Sequence, residues 1–316
     1  MELDVKHQIQ VIGQDFDQGI FPNILDGGEL IPGARPVATV TGKERVHHGQ
    51  QSKQTAPSGT SAASGTSAAS GTSGNTAPVA CATTCMEEEI DALKRSYPGT
   101  RSHPQAHGVW LQIPCAVLLN LGYSARIIVA INTSLHQVSA WGFWVVGVVG
   151  IRWIGDRHTN YGDGSICAFD GRDGTWHFGQ SSLVKLADIY SMWVFRHLHL
   201  EACGHWPGPQ SSGHRIERMR EFKSNEHCGC DAPRGTYAEC CMAADIAAES
   251  NPGRMDYAKM HSSIMYAFER QGRRPPLAVV ELASDTNGNH VFPKFTPNLV
   301  DWMTGDWMRN QAHQVG

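Results

Sequence analysis

The chain reads as an α+β protein, with a strand-rich segment, long helices, a small cysteine-rich knuckle and a C-terminal extension. Three observations carry that reading. Apolar, β-branched runs crowd residues 109–154. A helix-period stretch follows over Ser182–Cys203. Four of the nine cysteines then fall within residues 228–241, a spacing that suits a metal better than disulfides.

The elements follow in order. Residues 1–57 carry short β-like runs, Gln8–Ile12 and Val37–Thr41, between Gly and Pro turns, and have no assigned role. Residues 58–74 repeat small polar residues, Ser-Gly-Thr-Ser-Ala-Ala, and cannot bury a core; residues 58–78 are expected to be a flexible linker. Met86–Tyr97 is expected to be a helix, with Ile90, Leu93 and Lys94 on one face and Pro98-Gly99 as its stop. Strands are expected near 109–114, 125–131 and 143–151.

The clearest helix spans Ser182–Cys203. Leu183, Leu186, Ile189, Tyr190, Trp193, Val194, His197 and Leu198 recur at three and four residues. Ser181 or Ser182 caps its start and Gly204 its end. Beyond it, Met255–Gln271 reads as a helix. Leu277–Ala283 and His290–Phe295 read as a hairpin about Asn287-Gly288, and Asn298–Arg309 as a short closing helix.

Composition excludes several classes. With 316 residues and 41% hydrophobic content, the chain has material for one large domain or two ordinary ones. A net charge of −4 supplies no basic field for nucleic acid. The most apolar stretch, Val138–Ile154, contains Arg152 and is short for a membrane span, so buried strands are expected there. Met-Glu-Leu-Asp-Val-Lys lacks the basic start and apolar core of a secretory signal, so a reducing cytoplasm is expected.

The chemistry concentrates in the run His158-Thr159-Asn160-Tyr161-Gly162-Asp163-Gly164-Ser165-Ile166-Cys167. A thiol can hold an acyl group as a thioester, and a nearby side-chain amide can stabilise the oxyanion when that group moves on. The bland alternative is a buried cysteine in a turn. Asp163 and Asp170 read as solvated turn carboxylates. His197 with Glu201, and His199 with Cys203, lie four apart on the long helix, on different faces. They read as a surface ion pair and a packed His rather than a metal site.

This run, with Trp176 nine residues after the thiol and then a helix, resembles ubiquitin-conjugating enzymes, where a His-Pro-Asn element precedes the thioester cysteine. Thr159 replaces the Pro, and the spacing is one residue shorter. The resemblance implies an antiparallel sheet with flanking helices over residues 86–210. It implies that Cys167 carries the thioester, Asn160 supports the oxyanion and His158 is a scaffold residue. Arg196-His197-Leu198-His199-Leu200-Glu201 and Gly204-His205-Trp206-Pro207-Gly208 resemble a bacterial branch found in antiphage, CBASS-type operons. That resemblance implies an acyl donor in the C-terminus of a nucleotidyltransferase or a ubiquitin-like protein, a Lys-bearing target and an activating enzyme. No Pro lies between Pro114 and Pro207, where the family has a Pro-rich stretch.

Cys228-Gly229-Cys230 and Cys240-Cys241 are similar to the SEC-C zinc motif at the end of the bacterial secretion ATPase, with a gap of nine residues in place of eight. Structural Zn2+ on Cys228, Cys230, Cys240 and Cys241 is therefore expected within residues 211–245. Residues 246–316 form the extension. Two functions compete: a thioester-forming acyltransferase, and a non-catalytic partner-binding module. A third, a thiol hydrolase, needs a base, for which His158 and His177 are the near candidates in sequence.

Overall fold

Between Arg101 and Trp153 the chain reverses four times, and every strand pairs with the one before it. The computed structural model describes residues 2–18, 23–24, 30–31, 79–118, 122–147, 150–155, 157–160, 163–169, 175–211, 215–230, 235–249 and 274–295. The strands are β3 (Arg101–Gln105), β4 (Gly108–Leu118), β5 (Tyr123–Asn132), β6 (Gln137–Val146) and β7 (Gly150–Trp153). They form one antiparallel sheet in the order β3-β4-β5-β6-β7. Before them come α1 (Glu2–Asp17), a two-residue pair β1 (Asn23–Ile24) and β2 (Leu30–Ile31), and α2 (Val79–Ser96). After them come α3 (Leu183–Cys203), α4 (Arg215–Glu221), α5 (Met242–Glu249) and α6 (Leu277–Ser284).

The strands are apolar at consecutive positions because both faces of the sheet are covered. Alternation sends Val109, Leu111, Ile113, Ile127, Val129 and Ile131 to one face, under α1, α2 and α3. It sends Trp110, Ile128, Ala130, Trp141 and Phe143 to the other, where Val279, Leu282 and Ala283 of α6 and then Phe295 cover them. Gly142 is what lets α3 lie close. A Cβ there would stand 2.8 Å from the Trp193 ring.

The long helix has the limits its sequence predicts. Ser182 accepts a bond from the Lys185 N–H, and Gly204 ends the helix in the left-handed region at φ 82°. Ile90 and Leu93 of α2, and Tyr97 just past its end, are buried, while Lys94 is exposed and does not share their face.

Four expectations are corrected. The run 143–151 is not one strand: β6 ends at Val146, Gly147 turns at φ 62°, and β7 starts at Gly150. The apolar stretch Val138–Ile154 is thus mostly a hairpin. Gln8–Ile12 lies in helix α1, whose Ile9, Ile12 and Phe16 repeat at helical spacing and enter the main core. The linker separates this helix from the sheet in sequence, not in packing; Phe16 stacks on Phe195 of α3 at 5.6 Å. Leu277–Ala283 is helix α6, not a strand. Pro276 opens it, and Asp285 Oδ1 accepts the N–H groups of Asn287 and Gly288, so that dipeptide closes a local turn after a helix rather than a hairpin. Val37–Thr41, the linker, Met255–Gln271 and Asn298–Arg309 lie outside the described residues. Among the described residues no helix is long and apolar enough to cross a membrane.

Candidate functional site: the Cys167 loop and the four-cysteine knuckle

The loop that carries Cys167 folds back on itself by backbone pairing. Thr159 faces Ile166 in an antiparallel bridge, flanked by Asn160 N–H to Ser165 O at 2.7 Å and Cys167 N–H to His158 O at 2.8 Å. Thr159 and Ile166 are buried. Strand alternation therefore places Asn160, Ser165 and Cys167 on the opposite face. Asn160 and Cys167 are both exposed. They are diagonal neighbours across the pairing, a relationship that spans about 7–8 Å between backbones.

Asp163 is not the solvated turn residue expected of it. Its Oδ1 accepts the Ser165 N–H at 3.0 Å and the Ser165 hydroxyl at 2.8 Å. Its own carbonyl accepts the Trp141 indole N–H at 2.8 Å, which ties the loop to β6. Burial pushes the Asp163 carboxyl above the usual carboxylate range, against the bonds from Ser165. Asp170 lies outside the described residues. Gly164 takes φ 64° and sits against the Trp153 ring and the Arg274-Pro275 backbone.

The base of the loop is held by α3. The Trp193 indole donates to His158 O at 3.2 Å, and His197 Nε2 donates to Arg157 O at 2.9 Å. His158 leans on Trp206, with ring centroids 4.6 Å apart, and its Nε2 meets Gln210 Oε1 at 3.1 Å. The residue as a whole is half-buried. Its surroundings are nevertheless dense enough that burial, the largest cause, holds its pKa at about 3. An imidazole held at so low a value is a weak acceptor for a thiol proton. His177 serves the turn before α3 through its backbone, its carbonyl accepting Ser181 N–H at 2.9 Å. Trp176 is buried and donates to Ser182 O at 3.0 Å, which fixes the entry to α3.

The four cysteines of the knuckle come together. The ligand atoms of Cys228, Cys230, Cys240 and Cys241 all lie within 4.8 Å of one another. Cys230 Sγ stands 3.5 Å from Cys240 Sγ, and Cys240 Sγ 3.7 Å from Cys241 Sγ. A tetrahedron of sulfurs about 2.3 Å from zinc has edges of about 3.8 Å, so the cluster is compatible with a zinc site. Burial, then the neighbouring thiols, raises the Cys241 thiol, and the contact with Cys230 raises that of Cys240. Local bonds shape the knuckle. His227 and Thr236 form a bridge, Tyr237 N–H donates to Glu226 O at 2.7 Å, and Tyr237 OH donates to Asp245 Oδ2 at 3.2 Å. Arg218 clasps Asp245 through Nε at 2.9 Å and Nη2 at 2.7 Å.

The knuckle docks on the loop through polar side chains that sequence reading does not single out. Arg157 pairs with the buried Glu226 through both Nη atoms. Gln210 Oε1 also accepts from Arg157 Nη2 at 2.8 Å, and Gln210 Nε2 donates to His227 O at 2.8 Å. Glu226 further accepts the Trp206 N–H at 2.7 Å. The one signal in the sequence was the density of charged and aromatic residues in 205–227. Glu201 of α3 is engaged by Arg152 at 2.8 Å and the Trp144 indole at 3.0 Å. The ion-pair partner of Glu201 is thus Arg152 and not His197, which is buried and bonds Arg157 O, while His199 Nδ1 donates to His205 O at 3.0 Å.

No family model matches the chain, and no curated protein or solved structure matches it.

Proposed function

We propose that the protein is a ubiquitin-conjugating-like acyltransferase that carries an acyl group as a thioester on Cys167 and passes it to an amine. The observation that carries this reading is the pairing of the Cys167 loop. It presents an exposed thiol and an exposed carboxamide, Asn160, on one face of a loop pinned to a helix and a sheet. Supporting it is the order of parts that the family resemblance implies: a helix, an antiparallel sheet, a His-x-Asn element, the thiol, a buried Trp and a long helix.

The chemistry is a double exchange. Cys167 Sγ attacks an activated C-terminal carbonyl; a C–S bond forms, the donor's bond to its leaving group breaks, and the thiol proton departs with that group. An amine, such as the Nζ of a target Lys, then attacks. A C–N bond forms, the Cys167 C–S bond breaks, and an amine proton ends on the sulfur. The tetrahedral oxyanion needs a donor, which the Asn160 carboxamide supplies. The donor is the C-terminus of a cyclic-nucleotide-synthesising nucleotidyltransferase, or of a ubiquitin-like protein, loaded by an activating enzyme. The setting is bacterial antiphage defence in the cytoplasm.

We further infer that Cys228, Cys230, Cys240 and Cys241 hold one structural Zn2+. When bound, the ion cross-links the two knuckles of a segment that has little core of its own. Arg218 lies close enough to Cys241 and Cys228 to feel their charge, and offsets part of the excess of four thiolates.

The test is non-reducing electrophoresis of the protein with the products of its neighbouring genes. A shift that is reversed by dithiothreitol and lost in Cys167→Ala is expected. If no adduct forms and Cys167→Ala keeps full partner binding, the partner-binding module replaces the enzyme.

A further inference from the structure

The carboxamide of Asn160 has two ends of opposite sign. Its NH2 end stabilises an oxyanion, and its carbonyl end repels one. What decides the orientation is a neighbour whose own polarity is determined. Ser165 is that neighbour. It is only 3% exposed, and its Oγ stands 2.9 Å from Asn160 Nδ2 and 2.8 Å from Asp163 Oδ1.

A hydroxyl has one proton. Here the carboxylate of Asp163 takes it, and the same oxygen also takes the Ser165 N–H at 3.0 Å. Ser165 Oγ therefore has only lone pairs to offer Asn160, so the amide must present its NH2 group. One amide hydrogen is spent on Ser165, and the second remains for an incoming oxyanion. The chain of bonds is anchored away from the thiol, since Asp163 O is held by the Trp141 indole and Gly164 is packed against Trp153 and Pro275. Each bond polarises the next.

We propose that Ser165, oriented by Asp163, is a positioning residue that sets the donor end of the Asn160 amide toward the reacting carbonyl. The proposal rests on the conjugating reading above and deepens it. Ser165 does not touch the acyl group; it acts through Asn160.

The test uses the full-length protein and a synthetic peptide thioester ending in Gly-Gly, which loads Cys167 by thiol exchange without an activating enzyme. Loading is followed by intact mass, and discharge by loss of the adduct to free lysine. Ser165→Ala is expected to load like the wild type and to discharge at least about tenfold more slowly, in the direction of losing an oxyanion donor. Asn160→Ala is expected to lose as much or more. The double variant is expected to be no slower than Asn160→Ala alone, because the two residues act as one unit. Ser165→Thr, which keeps the hydroxyl, is expected to restore discharge.

A second readout needs no acyl donor. In NMR spectra of the side-chain amides, the two Asn160 Nδ2 protons are expected to shift in Ser165→Ala, while the Trp193 indole signal stays in place. Additive losses in the double variant overturn the proposal and leave the conjugating reading intact. So does an Asn160 signal that ignores Ser165→Ala. A wild-type chain that never loads the thioester sinks the conjugating reading, and with it any part for Ser165 in the reaction.

Discussion

Arg157 and Glu226 form a buried ion pair that joins the base of the Cys167 loop to the residues just before Cys228. Their side chains are 6% and 0% exposed. Glu226 collects four donors: both Nη atoms of Arg157, the Trp206 N–H and the Lys223 N–H. The guanidinium also lies over the Trp206 and Phe222 rings, at 5.4 and 5.2 Å. A seam of this kind contributes more to arrangement than to net stability, because desolvating both charges offsets most of their attraction.

Removing one partner is different, since it leaves the other charge buried and unpaired. Glu226→Ala is expected to cost about 3–5 kcal/mol in urea denaturation. The pair Arg157→Met with Glu226→Leu is expected to recover much of that loss. A small effect for Glu226→Ala would mean that water reaches Arg157.

Metal removal is expected to act on the knuckle first. Native mass spectrometry of protein purified without chelator is expected to show one zinc per chain, lost in Cys240→Ser. Stripping it with a chelator is expected to speed amide hydrogen exchange in residues 226–241. Exchange at 157–167 is expected to follow, because Gln210 and Glu226 bridge the two regions. Unchanged exchange on stripping would count against a structural ion.

Thiol reactivity is expected to sort by exposure. Cys167 is exposed and Cys115 is 1% exposed. Brief iodoacetamide treatment of the zinc-loaded protein is expected to modify Cys167 well ahead of Cys115, read by peptide mass mapping. Cys167→Ala is expected to leave stability within about 0.5 kcal/mol of the wild type. A large loss of stability would make Cys167 a packing residue.

Acid is expected to destabilise the fold through its neutral histidines. Burial holds His197 and His158 at about 3, against an ordinary value of 6.5. His197 is 2% exposed and is the cleaner case. The unfolded chain takes up their protons first as pH falls. The stability they contribute is therefore complete above 6.5 and is lost as pH drops from 6.5 toward 3. The loss grows steadily as pH falls through that window. Asp163, shifted upward, works in the opposite direction at the acid end. Denaturation midpoints at pH 7 and pH 5 check the direction, and equal midpoints would contradict it.

Sequence signals were reliable where the cause was local. The cap at Ser182, the stop at Gly204 and the apolar face of α3 lie within a few residues of what they control. The knuckle was legible because its thiols crowd a short segment. The Gln8–Ile12 run misled because its apolar residues suit either a strand or a helix until a packing partner is named; that partner is α3, far along the chain. Leu277–Ala283 misled for the same reason, since its short apolar run lies on a sheet face that no nearby residue announces.

The sequence by itself determined which residues could carry chemistry: one thiol after a turn, an amide ahead of it, and four sulfurs in two short knuckles. Those are properties of residue type and spacing. Only the tertiary structure decided what surrounds them. It put Asp163 on Ser165 rather than in water, held His158 neutral beside Trp206 and Gln210, and set Glu226 against Arg157 across a sequence separation of 69 residues. Burial and pairing of polar groups depend on which distant segments meet, and a charge is held in an interior only where its partner arrives with it.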